Sequence, residues 1–324
     1  MEKVLLIKTG YSEFLYGGDQ GQNVSLGDIF RTTVLLPHYA ARGDRVTWLT
    51  DAYAFPLLEG NPHIAELIGI NSPATLELLG REFDTVVNLE KNRGVCLLTK
   101  AIDAWKKQGF RIDARTGEVR AYDRAAEVLT VSHDFELKKS NQRRFQDLLF
   151  RVIGEEWKGE EYSLGYKPAS EVTYDVGFNT LVGKKWPNKS WPTEKWDDLE
   201  RRLTQEGLKV TRQDRQDKSV LTDLRKYMDW VNSSRVVVSS DSLGMHLAIA
   251  MGKRVYGLFA PTPSAEVDFY GRGEAILPYP KLDCVPCLGD KCEAGNGNCI
   301  DKIEVDHVAR KVIGYIGGKN DGKA

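Results

Sequence analysis

The sequence predicts an α/β protein built from two parallel-sheet domains, and three observations carry that prediction. Short β-branched apolar runs alternate with helical patterns along both halves of the chain. The alternation stops once, over residues 155–172, where Gly, Pro and charge gather and periodicity is lost. The 324 residues exceed the roughly 100 to 200 of one ordinary domain, so each half can bury its own core. These place a first domain at 1–160, a linker at 161–174, a second domain at 175–318 and a flexible tail at 319–324.

In the first half "KVLLIKT" is the opening strand, a helix is expected over 27–42, and "RVTWLT" is the next strand. "FDTVVNLE" is a further strand, with a helix expected near 95–108. In "SNQRRFQDLLFRVIG", Phe145, Leu148, Leu149 and Val152 fall at i, i+3, i+4, i+7, one apolar stripe of a helix packed on its domain. Arg143, Arg144 and Arg151 lie off that stripe; with Lys138 and Lys139 they form a basic flank that would suit a membrane surface. The second half reads "DVGFNT", helix "PTEKWDDLERRLTQEG", "LKVTRQ", helix "LRKYMDWVNS", "RVVVSS", helix "GMHLAIAMG", "RVYGLFAP" and a final helix "VDHVARKVIGYI". Ligands of open α/β sheets bind at the C-terminal ends of the strands, which is where chemistry is expected.

Composition removes several classes. Hydrophobic residues make up 41%, and acidic and basic side chains nearly cancel to a formal charge of -1, so nothing global favours nucleic acid. No apolar stretch reaches the ~18 to 20 residues of a membrane span, and the N-terminal run is too short for a signal peptide, which predicts a cytoplasmic protein. No Gly-x-Gly-x-x-Gly follows the first strand and no Gly-x-x-x-x-Gly-Lys-[Ser/Thr] occurs, demoting dinucleotide oxidoreductases and P-loop enzymes. Asp-x-Asp is also absent, so charge on a bound diphosphate would fall to lysines and helix N–H groups, with no metal ion required.

Four constellations remain. After the buried run "RVVVSS" a helix starts at once, with Asp241, Ser242, Leu243 and Gly244 in its entry; such an N-terminus either binds an anion or is simply capped by Asp241 or Ser242. His246, four residues after Ser242, shares that helical face, or is a structural histidine. The loop "FNTLVGKKWPNKSWP" leaves the same sheet edge and carries Lys184, Lys185 and Lys189, either solvated or presented to phosphates. Asn179, which ends the strand before it, is counted with the donor-side candidates. Near the N-terminus, Ser25, Gly27 and Asp28 of "SLGD" lie where a loop turns into a helix, and Asp28 is either a cap or a base. Last, Cys284, Cys287, Cys292 and Cys299 are spaced C-x2-C-x4-C-x6-C, which can enclose a structural tetrahedral Zn²⁺, remain thiols, or pair on oxidation.

In sequence order "LGD", "KSWPTEKWDDL", "SDSLGMHLAIAMGKRVYGLFAPT" and the cysteine loop resemble glycosyltransferase family 9, the ADP-heptose:lipopolysaccharide heptosyltransferases. The resemblance implies a GT-B fold: two Rossmann-like domains facing across an interdomain cleft, acceptor on the first and nucleotide-sugar on the second. It implies inversion at the anomeric carbon without a required metal, Asp28 as general base, and Lys189 on the donor phosphates. Asp241, Ser242 and His246 fall on the donor-site helix start. The implied donor is ADP-heptose, and the implied acceptor a lipid-linked or core oligosaccharide, reached by peripheral contact with the cytoplasmic face of the inner membrane. No nucleic acid is expected. A UDP- or GDP-hexose donor, or a non-catalytic nucleotide-sugar-binding protein, are the competing readings. Two departures stand out: Leu243 holds the place where the family usually has Gly, with Gly244 next. In addition, the loop 11–24 is about a dozen residues longer than the family's, a place for acceptor or donor selection.

Overall fold

The computed structural model describes residues 1–11, 24–183, 186–289, 291–293 and 298–318. The chain divides into two compact units, Met1–Lys167 and Pro168–Ala324, a division that falls inside the 161–174 segment.

In the first unit β1 (Lys3–Ile7), β2 (Arg45–Thr50), β3 (Ile64–Gly69), β4 (Glu82–Asn88), β5 (Asp103–Ile112) and β6 (Val119–Ala121) form one sheet in the order β3-β2-β1-β4-β5-β6. The first five run parallel and β6 returns antiparallel on the end of β5. Strand β1 beyond Lys3 and β4 from Thr85 onward are buried on both faces, as a helix-covered parallel sheet requires, and "VLLI" of β1 reads as a continuous apolar run. The chain leaves β1 to build β2 and β3 on one side and comes back to build β4 and β5 on the other. Loops after β1 and β4 therefore part at a topological switch point, where such sheets leave a crevice.

Two elements differ from expectation. The helix expected over 27–42 is two helices, Leu26–Thr32 and Leu35–Ala41. Pro37 has no N–H to donate to Thr33, and its ring would clash with that carbonyl, so the helix breaks at residues 33 and 34. The helix expected near 95–108 ends at Ala101, and "DAWKKQGFRI" is β5. Its first part has β4 as its sheet neighbour on one side only, and the charged Asp103, Lys106 and Lys107 suit such an edge. Within β5, Gly109 has φ +89, and a Cβ there would lie 1.9 Å from the Asn88 carbonyl oxygen, so only glycine fits against the end of β4.

The helix Phe145–Val152 buries Gln146, Leu149, Phe150 and Val152. Its basic flank is engaged on its own unit, because Arg143 and Arg151 both pair with Glu127 and Arg144 lies 5.1 Å over the Trp157 ring. The segment expected as a linker is anchored on either side. Tyr162 packs on Phe30 with ring centroids 5.7 Å apart, and the Ser163 N–H donates to Thr33 Oγ1 at 3.1 Å. In the second unit the Ala169 N–H donates to Asp229 Oδ1 at 2.8 Å.

The second unit holds β7 (Tyr174–Asn179), β8 (Val210–Arg212), β9 (Ser234–Ser240), β10 (Arg254–Leu258) and β11 (Gly273–Ile276), all parallel, in the order β11-β10-β9-β7-β8. Its core packs Val176, Phe178, Val236 and Val238 against Trp191, Trp196 and the final helix Val305–Ile316. Here the switch point lies between β7 and β9. No described helix is long and apolar enough to cross a membrane.

Candidate active site

In the first unit the candidates gather at the β1/β4 switch point. Ser25, not Asp28, takes the N-cap position of Leu26–Thr32, without a side-chain cap bond; Gly27 and Asp28 follow in the first turn. Asp28 is half-buried, and the Thr32 hydroxyl donates to its carbonyl at 2.8 Å. A carboxylate in a first turn is favoured by the helix dipole. Around it lie charges that the sequence did not single out. Glu90, two residues past β4, is fully buried, and its Oε1 accepts the N–H groups of Thr9 at 2.7 Å and Gly10 at 2.8 Å. Lys8 Nζ sits 3.4 Å from the same oxygen. Lys91 donates to Ser132 Oγ at 2.5 Å and lies 5.1 Å over the Phe110 ring. Burial pushes the Lys91 ammonium down to about 8, helped by Lys138 and Lys8 and opposed by Glu90 and Asp28. A charged pair directly after a buried strand, "NLEKN", was the signal available for Glu90 and Lys91.

In the second unit the loop after β7 and the turn after β9 meet, as adjacent strands require. Lys189, closing the turn Pro187–Lys189, places Nζ 2.7 Å from Asp241 Oδ2 and donates to the Asp241 carbonyl at 3.3 Å. Two of its three N–H donors are so directed, which leaves one for a ligand. Thr262 donates to Asp241 Oδ2 at 2.9 Å, and the buried His246 holds Nε2 3.8 Å from Asp241 Oδ1. Tyr227 and Thr262 were not legible in the sequence, because each enters from an element remote in the chain.

Asn179 differs from expectation. It is fully buried; both amide hydrogens go to Ser239 Oγ at 2.8 Å and Ser242 Oγ at 2.7 Å, while Oδ1 accepts the Tyr227 hydroxyl at 2.5 Å. With no N–H left for a ligand, Asn179 holds the turn that would do the binding. The helix Leu243–Ala250 that follows has Ser242 at its N-cap with no side-chain cap bond, and the Asp241 carboxylate is directed to Lys189 and Thr262. A Cβ at Gly244 would lie 2.2 Å from Tyr227 Oη and 2.6 Å from Asn179 Oδ1. This close approach requires glycine at 244 and leaves 243 able to carry the half-buried leucine.

Of the three readings open for the cysteines, the zinc set gains no support: among the described residues no group of three or more His, Cys, Asp or Glu is arranged to hold a metal ion. Cys284 and Cys292 are exposed and Cys287 half-buried, whereas Cys299 is buried in the turn Cys299–Lys302. Burial and the neighbouring thiols push the Cys299 thiol up to about 11. Lys184, Lys185, the tail 319–324 and most of the loop 11–24 lie outside the described residues.

Residues 75–219 and 219–297 match the family described as Glycosyltransferase family 9 (heptosyltransferase), well over half of the chain. The chain belongs to glycosyltransferase family 9. No curated protein matches it significantly in sequence. Among solved structures it is similar to E. coli ADP-heptose lps heptosyltransferase II at 16% identity and TM-score 0.67, covering 98% of this chain and 99% of that one. It is similar to E. coli heptosyltransferase WaaC with ADP at 14% identity and TM-score 0.61, covering 98% and 99%. A third is the iron-containing dodecameric glycosyltransferase TibC from enterotoxigenic E. coli H10407, at 13% identity and TM-score 0.61, covering 98% and 76%. This family 9 chain is thus a glycosyltransferase with the GT-B fold of two Rossmann-like domains.

Proposed function

We propose that the enzyme transfers heptose from ADP-heptose to a hydroxyl of a lipopolysaccharide core or related glycan, with inversion and without a required metal ion. The observation that carries this reading is the Lys189–Asp241 pair beside the helix start at 243, where Ser242 makes no side-chain cap bond, both at the β7/β9 switch point. A cation and first-turn N–H groups suit a diphosphate. Two solved structures to which the chain is similar were determined with ADP or an ADP-heptose analogue, which favours an adenine nucleotide over UDP or GDP.

In the displacement Asp28 takes the proton of the acceptor hydroxyl as that oxygen forms its bond to the anomeric carbon. The bond from that carbon to the diphosphate oxygen breaks, and its electron pair leaves with the nucleotide. Proton removal by a placed carboxylate contributes ~10² to 10⁴-fold, and the rest falls to positioning and to charge stabilisation by Lys189 and the helix N–H groups. The acceptor is lipid-linked or a core oligosaccharide, met at the cytoplasmic face of the inner membrane.

Asp28→Asn is expected to lower transfer by roughly 10² to 10⁴-fold, leaving a residual rate, with ADP-heptose affinity within about twofold. A variant that kept near-normal turnover would remove the base assignment. Thermal shift with ADP-heptose and with UDP- and GDP-hexoses tests the donor, and stronger stabilisation by a uridine or guanosine sugar would overturn it.

A further inference from the structure

We propose that Glu90 is a positioning residue for Asp28, acting through the end of β1; this rests on the reading of Asp28 as the base. A fully buried carboxylate is costly unless its lone pairs are satisfied, and the sheet does not need one here, since β1 and β4 are already paired along Val4 to Ile7. Glu90 is itself held: its N–H donates to Asn88 Oδ1 at 3.0 Å, and its carbonyl accepts from Asn88 Nδ2 at 3.1 Å and Cys96 Sγ at 3.3 Å. From that fixed point Oε1 takes the two N–H groups just past β1, those of Thr9 and Gly10.

Gly10 passes the constraint on. Its carbonyl accepts the Ser25 N–H at 3.2 Å, and Ser25 begins the helix by accepting the Ile29 N–H at 3.2 Å. Gly10 has φ +84, and a Cβ there would lie 2.7 Å from Val24 Cγ1 and 3.0 Å from Ile29 Cδ1, so the turn and the helix entry touch. Asp28 is in the first turn of that helix. The Gly10–Ser25 bond thus ties the residues just past β1 to the entry of the helix. The carboxylate that faces the acceptor is therefore located by a second carboxylate that never meets it.

The test is a mutant cycle on the full chain, with transfer from ADP-heptose followed at saturating donor and by single turnover. Glu90→Ala is expected to lower kcat by about 10²-fold, the loss a misplacement of about 1 Å brings, with donor KM within twofold. Glu90→Gln, whose Oε1 still accepts both N–H groups, is expected to restore kcat to within a few-fold of wild type. In an Asp28→Asn background Glu90→Ala is expected to cause no further loss. An equal fold-loss in both backgrounds, or a folded Glu90→Ala enzyme with wild-type kcat, would overturn the proposal. Should Glu90→Ala fail to fold, Gly10→Ala perturbs the same strut from its other end and carries the same expectations. Full turnover in Asp28→Asn alone would strike the base reading instead, so the two failures are distinguishable.

Discussion

Gly244→Ala is the most searching single substitution in the second unit. The added methyl would stand 2.2 Å from Tyr227 Oη and 2.6 Å from Asn179 Oδ1, atoms joined to each other at 2.5 Å. Neither partner has an easy retreat: Tyr227 is buried and stacked on Trp230, and Asn179 is tied to Ser239 and Ser242. Relief requires shifting packed side chains, ~1 to 3 kcal/mol for overpacking, and parting a buried hydrogen bond, ~1 to 3 kcal/mol for each group left unsatisfied. The sum is about 2 to 6 kcal/mol, or roughly 5 to 20 °C in melting temperature for a unit of this size. Because Asn179 also holds Ser242, affinity for ADP should fall as well. Adding Tyr227→Phe removes the nearest clashing atom, so the double variant is expected to be more stable than the two single effects combined. Melting within about 1 °C of wild type, with unchanged ADP affinity by calorimetry, would refute the reasoning.

Lys91 offers a pH test. Its ammonium is held near 8, below the ordinary 10.5, so between those values the unfolded chain keeps a proton that the folded chain has lost, and stability rises with pH across that window. Below it the folded state carries the whole penalty, no more than about 3 kcal/mol after solvent screening. Lys91→Met is expected to flatten the rise and to melt higher at neutral pH by calorimetry; an unchanged slope would place the proton elsewhere. Arg212 is almost wholly buried and meets Asp197, Glu200 and Asp214, so Arg212→Met is expected to lower stability by about 2 kcal/mol in chemical denaturation, the outer carboxylates being partly hydrated. Maleimide at neutral pH is expected to label the exposed Cys284 and Cys292 and to spare Cys96 and Cys299, whose thiols sit near 11. Mass spectrometry of the labelled peptides decides this.

The second unit was the more legible in sequence. Four of its five strands and the helices between them follow the alternation of apolar runs and amphipathic stretches, and only the short β11 was missed. The strands that carry Asn179 and Ser240 are neighbours, so the meeting of Lys189 with Asp241 followed from topology. Less legible was what depended on tertiary contact. The charged "DAWKKQGFRI" has no alternation of its own and becomes β5 because β4 offers it an edge. Pro37 was a visible break signal inside the 27–42 pattern and outweighs its apolar spacing. Glu90 could be noticed only as a charge after a strand, since its partners Thr9 and Gly10 are 81 and 80 residues away. Asn179 stands at the expected turn, and its amide bonds to Ser239, Ser242 and Tyr227 brace it. Residue type says what an amide can bond, and only packing says that every bond is already taken.

Both switch points are built from contacts distant in sequence, and this orders their appearance during synthesis. The strut beneath Asp28 is complete once the chain has emerged as far as Cys96, before any residue of the second unit exists. The cluster in the second unit waits longer, since Lys189 must find Asp241 across 52 residues and Thr262 closes on it from 21 further along. A growing chain thus completes the surroundings of Asp28 first and the cluster of Lys189, Asp241 and Thr262 last.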